Sequence, residues 1–121
     1  MIAEARAALL AVLETAGVRA YAEVPDRGVP PMAIMVPADS WVVSGEAFGE
    51  FVVSFDVEII APNGTNVVIS QALDDAVETV LVAISNAPGM YTAEISKPAS
   101  VEIPTGVYLG STITVKQNLQ L

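Results

Sequence analysis

Apolar and polar residues alternate most regularly between Phe51 and Ile60. Odd positions from Phe51 to Ile59 are all apolar, whereas Asp56 and Glu58 occupy even positions. This period of two predicts a β-strand with one buried face and one wetter face. The C-terminal part repeats the pattern over a longer stretch, and this predicts a long final strand. Its apolar parity comprises Val107, Leu109, Ile113, Val115, Leu119 and Leu121.

Two segments have helical periodicity instead. Apolar residues recur every three or four positions from Ile2 to Ala16, and Gly17 follows as the expected C-terminal cap. A second helix is predicted from Asn66 or Ser70 to Asn86, with an apolar stripe that runs from Ile69 to Ile84. We expect its acidic residues to lie near its N-terminal half, where negative charge complements the helix dipole. These residues are Asp74, Asp75 and Glu78.

The remaining segments complete a single domain over residues 1–121. Short strands are predicted at Arg19–Val24 and at Ala33–Val36, the latter bounded by Pro37. Another strand is predicted at Tyr91–Ile95, together with Ser100–Ile103. Ala38–Gly49 has no clear period and is interpreted as a loop or hairpin connection. The order α-β-β-β-α-β-β predicts an α+β fold. Its mixed, mainly antiparallel sheet has about four to five strands, with two helices packed on it.

Composition and charge narrow the possible partners. The 121 residues are 53% hydrophobic and carry a net charge of −9, with five scattered basic residues. Surplus apolar residues indicate an oligomer or another protein partner. Tight binding to nucleic acid or to an anionic membrane is not expected, because both need clustered basic residues. Neither a membrane span nor a basic leader is found, so we expect the chain to be used without export.

Histidine and cysteine are absent, which removes the usual general base, the thiol nucleophile and most zinc ligands. Carboxylates remain as candidate catalytic groups or metal ligands. Asp74 and Glu78 would share a helix face and could bind a hard cation, but a solvated face is favoured because no oxygen-rich loop accompanies them. For Asp56 and Glu58, a solvent face or a subunit contact is favoured over a catalytic pair. We expect no enzymatic activity, no cofactor and no metal.

Three further residues are candidates for an interface. Trp41 and Phe48 lie in the irregular segment, where a large aromatic side chain either packs on the core or meets a partner. Burial energy favours the core, and the enrichment of Trp at interfaces favours a partner. Arg27, in the turn that precedes the Ala33–Val36 strand, could pair with a carboxylate of a neighbouring subunit, although a solvated turn residue is the simpler interpretation. The predicted interface residues are therefore Arg27, Trp41, Phe48, Asp56 and Glu58.

The whole order of segments resembles a known protein family. It combines the N-terminal helix, the proline-rich Val29–Pro37, the alternating Phe51–Ile60, the Pro62–Thr65 turn and a helix that contains Gln71–Ala76. A long C-terminal strand closes the chain. This order is similar to that of the tail terminator proteins of long-tailed bacteriophages, particularly phages of actinobacteria. The similarity covers essentially the full length and depends on no invariant motif.

The resemblance implies a fold and a function. Tail terminators have a mixed sheet flanked by helices, and they form a hexameric ring on the head-proximal end of the tail tube. There they stop tube polymerisation and dock the head–tail connector, while DNA passes through the ring without tight binding. The expected locations are the virion neck and, during assembly, the host cytoplasm. The alternatives are another neck protein, either a head–tail connector or a head-closure protein, and a monomeric α/β ligand-binding module.

Overall fold

The structure is a computed structural model that describes residues 2–46 and 48–120, with the backbone alone for residues 90–93. It has two helices and six strands in the described chain. Their order is α1 (Ile2–Thr15), β1 (Ala20–Tyr21), β2 (Met32–Ser44), β3 (Glu50–Ile60), α2 (Asn66–Asn86), β4 (Met90–Ile95), β5 (Ala99–Ile103) and β6 (Gly106–Gln120). The predicted α+β fold is confirmed, with one strand more than expected. Leu121, predicted to extend the last strand, lies outside the described residues.

The strands form one mixed sheet in the order β1-β2-β3-β6-β4, and β5 also pairs with β6. Only β1 and β2 pair in parallel among the described strands. Gly110 of β6 pairs with Ile60 of β3 and with Ala99 of β5, so β3 and β5 lie on opposite edges of β6. Because β4 pairs with residues 113–117 of β6, β4 and β5 follow one another along that second edge.

The main core lies between the sheet and both helices. Its sheet side is the odd parity of β3, as the alternation predicts, and its helix side includes the α1 stripe. The largest buried side chains of this core are Phe55, Leu9, Leu13, Met35, Ile59, Ile84 and Ile113. The guanidinium of Arg6 stands 5.8 Å from the centre of the Phe55 ring. We call this side of the sheet the helix-covered face.

The C-terminal end of α1 and the N-terminal end of α2 each have a recognisable capping residue. Gly17 ends α1 with a φ of +85°, a conformation that favours glycine, as predicted. The α2 helix begins at Asn66, where the Thr65 side chain accepts a hydrogen bond of 3.4 Å from the Val68 amide. The expected dipole role of the acidic residues is wrong, because no acidic residue lies in the first turn. Asp74 begins the third turn, beyond the reach of the helix terminus.

The opposite face of the sheet carries no helix, and we call it the helix-free face. The β5–β6 hairpin covers one end of it, where Ile103 packs with Met32, Ile34 and Ile60 in a small buried cluster. A hydrogen bond of 2.8 Å fastens the hairpin turn, since the Thr105 hydroxyl donates to the carbonyl of Gly28. The rest of this face is open.

Two predictions for the first half of the chain are wrong. The expected strand Arg19–Val24 is reduced to the two residues of β1. Conversely, β2 does not stop at Pro37. Of the segment Ala38–Gly49, interpreted as a loop or a hairpin connection, residues 38–44 belong to the strand, and a hairpin connection is found only between Ser44 and Glu50. Pro37 pairs with Phe55 and Val42 pairs with Val53, so β2 advances by five residues while β3 advances by two. The extra residues of β2 form a large bulge that interrupts the alternation. The bulge explains why periodicity did not reveal this strand.

Candidate interaction surface

The ends of β2 and β3 form a hairpin whose described residues, 42–46 and 48–53, we call the β-arm. Val42, Val43 and Ser44 pair with Val53, Val52 and Phe51, and the Gly45 amide donates to the carbonyl of Glu50 at 2.7 Å. The last residues of β6 lie beside the β3 strand of the arm in the same sheet, since Glu50 pairs with Gln120. The arm is therefore held by hydrogen bonds along both of its strands and is not a free loop.

Several apolar side chains are exposed on and beside the β-arm. Phe48, at its tip, is fully exposed, and Trp41, in the adjoining bulge, is 39% exposed. Val42 and Val43 are exposed as well. The interpretation that Phe48 packs on the core is wrong, and Trp41 is not buried either. Since aromatic side chains have much to gain from burial, an assembly contact remains the prediction for both.

An open polar depression adjoins the arm on the helix-free face, with a volume of about 590 Å³. Its charged lining consists of Asp39 from the bulge, Asp56 from β3, Glu94 from β4 and Lys116 from β6. Ser54 and Thr114 supply hydroxyl groups, and Val43 of the β-arm forms part of the wall. Register explains this convergence, because Ser54 pairs with Lys116, and Thr114 pairs with both Asp56 and Glu94.

Asp56 and Glu58 occupy neighbouring positions on the helix-free face, and both are half-buried. The Thr114 hydroxyl donates to Oδ1 of Asp56 at 2.8 Å. Burial, and secondarily the charge of Asp56, raises the pKa of the Glu58 carboxyl above its ordinary value of 4.5. Only Asp56 lines the depression, whereas Glu58 stands between it and the buried Ile60.

Arg27 is exposed in a turn that precedes β2. The β-arm lies at the other end of β2, so the structure does not bring Arg27 together with Trp41 or Phe48. The five predicted interface residues therefore occupy three places: the turn before β2, the β-arm with its bulge, and the middle of the helix-free face.

Sequence reasoning did not identify Asp39, Glu94 and Lys116 as neighbours of Asp56. The local pattern places Asp56 on the polar side of β3, but the partners come from strands whose pairing it does not specify. Asp74, Asp75 and Glu78 are exposed on α2, away from this depression. Within residues 2–46 and 48–120, no group of three acidic side chains is close enough to hold a metal ion.

Comparison with known proteins gives no assignment. No protein-family model matches the chain, and no curated protein matches it significantly. Neither α1 nor α2 is long and apolar enough to cross a membrane.

Proposed function

We propose that this protein is a non-catalytic subunit of a bacteriophage tail, a tail terminator that caps the head-proximal end of the tail tube as a hexameric ring. The ring stops tube polymerisation and gives the head–tail connector its docking surface. The observation that carries the proposal is the β-arm with its exposed aromatic side chains, Phe48 at the tip and Trp41 beside it. The choice of a tail terminator among possible assemblies depends on the full-length resemblance of the sequence to that family.

The arm suits an assembly contact because it is both apolar and ordered by its backbone pairing. An apolar side chain on a paired strand loses little backbone entropy when a partner covers it, since the strand is already fixed. Interfaces of ordinary size bury about 800 Å² on each partner, so the arm would form the centre of a larger contact. Loops and hairpins on a rigid scaffold commonly serve this purpose.

The charge of the chain supports the same role. Each subunit carries a net charge of −9, and a ring of such subunits repels the phosphates of DNA. A passage that DNA crosses during ejection works best without adhesion to the wall. The absence of histidine and cysteine from the sequence accords with a structural role.

Electron microscopy of the purified chain mixed with cognate tail tubes tests the proposal. We expect a ring on one end of each tube, and overlong tails in phage that lack the protein. The variant Trp41→Ser/Phe48→Ser should lose the cap, whereas Val107→Ser, at an exposed apolar site on the β5–β6 hairpin, should retain it. Tails of normal length that fail to join heads would instead indicate a different neck protein.

A further inference from the structure

The polar depression has the features of a binding site that the proposed function does not use. Ser54 is only 4% exposed, yet its hydroxyl forms no hydrogen bond within the described residues. Every fully enclosed side-chain nitrogen or oxygen of the described chain has a partner. The Ser54 oxygen therefore keeps access to solvent, and the depression that Ser54 lines provides that access.

The charge around this hydroxyl favours a cation. Three carboxylates, those of Asp39, Asp56 and Glu94, face one ammonium group, that of Lys116. Asp56 already accepts a hydrogen bond from Thr114, which fixes one oxygen and leaves the other free to accept. A positively charged group in the depression would gain from this excess of negative charge, and part of that gain would survive physiological salt because Asp56 is half-buried.

The arrangement of the acidic groups favours an organic cation over a metal ion. No three acidic groups of the described chain converge closely enough for a metal ion. A guanidinium group carries five N–H donors on a planar frame and reaches acceptors that lie apart from one another. Val43, in the wall, offers an apolar surface for the methylene stem of an arginine side chain.

We infer that the depression binds the guanidinium group of an arginine side chain, with Asp56 and Glu94 as its principal acceptors and Ser54 as an additional one. The arginine belongs either to a second copy of this chain, which has exposed arginines at Arg19 and Arg27, or to a different protein. The inference goes beyond the proposed function, because the site exists in the single chain and requires neither ring nor tube.

Nuclear magnetic resonance of the isolated chain tests the guanidinium chemistry. Titration with N-acetyl-arginine amide should shift the backbone amide signals of Ser54, Thr114 and Lys116 to saturation. The citrulline analogue, which has the same shape without the charge, should not. The variant Asp56→Asn/Glu94→Gln should weaken binding by about tenfold or more, because charge-assisted hydrogen bonds become neutral ones. Lys116→Gln should strengthen it about two- to fivefold by removing a like charge.

The matched control is Asp74→Asn/Glu78→Gln, which removes one aspartate and one glutamate charge from the exposed side of α2. It should leave arginine binding unchanged within about twofold, since surface charges at a distance are screened. Equal effects of the two double variants on arginine binding would contradict the proposed site. Equal amide shifts with the citrulline analogue, or no saturable shift with the arginine compound, would contradict it as well.

A second arm of the experiment identifies where the arginine comes from. If a second copy supplies it, the same amide signals should shift with protein concentration alone, and Arg27→Gln or Arg19→Gln should abolish that shift. If the signals respond only to added arginine, a different protein supplies the side chain. Failure to cap tail tubes would count against the proposed function and leave this result unaffected.

Discussion

The two faces of β3 show how one strand serves two purposes. Its odd residues, such as Phe55 and Val57, are buried under two helices on the helix-covered face. Its even residues, such as Asp56 and Glu58, lie on the helix-free face, where the β5–β6 hairpin covers one end. The main core therefore lies on one side of the sheet, and the polar depression lies on the other.

The largest effect is expected on the helix-covered face. Phe55→Ala should lower the free energy of unfolding by about 3–5 kcal/mol, because it removes a buried ring and leaves a cavity among packed side chains. Urea denaturation followed by circular dichroism measures the loss. Phe48→Ala, the same substitution at the exposed tip of the β-arm, should change stability by less than about 0.5 kcal/mol. Comparable losses at the two sites would contradict the placement of the core.

A smaller effect is expected in the cluster of the helix-free face. Ile103→Ala should cost about 2 kcal/mol, at the low end for isoleucine truncation, because the cluster has few members and lies at the margin of the sheet. The same denaturation experiment applies, with Val107→Ala on the exposed side of the hairpin as the control. A loss as large as that of Phe55→Ala would show that both faces contribute equally to stability.

The smallest effect concerns pH and Glu58. Because the folded chain raises the pKa of this carboxyl, it holds the proton more tightly than the unfolded chain does. The free energy of unfolding should therefore fall as pH rises from about 4.5, the ordinary value, through the higher pKa of the folded state. Glu58→Gln should remove this decline and be more stable than the parent at pH 7, by less than either loss above.

The control for Glu58→Gln is Glu78→Gln, the same substitution at an exposed position of α2. Denaturation midpoints at a series of pH values compare the variants. A slope for Glu58→Gln that equals the slope of the parent would show that the Glu58 environment does not oppose its charge.

The sequence predicted the helix-covered face better than the helix-free one. Local periodicity distinguishes Phe55 from Asp56, and Gly17 marks the end of α1, because these signals act over a few residues. The β2 bulge was missed because its extra residues break the period of two on which strand prediction depends. The depression was missed because the Asp56–Thr114 contact joins residues 58 positions apart, a pairing that no local pattern specifies.

The same bulge has a consequence for solubility. Beyond the two residues that pair with β1, the outer edge of β2 has no neighbouring strand in the described chain, so it offers a template for strand addition between molecules. Pro37 removes one amide donor from this edge, and the bulge from residue 38 to residue 41 breaks its regular spacing. What remains are short pieces that suit a single specific contact but not the continuous ladder of an aggregate. The bulge therefore limits the length of regular strand that the outer edge of β2 offers to another molecule.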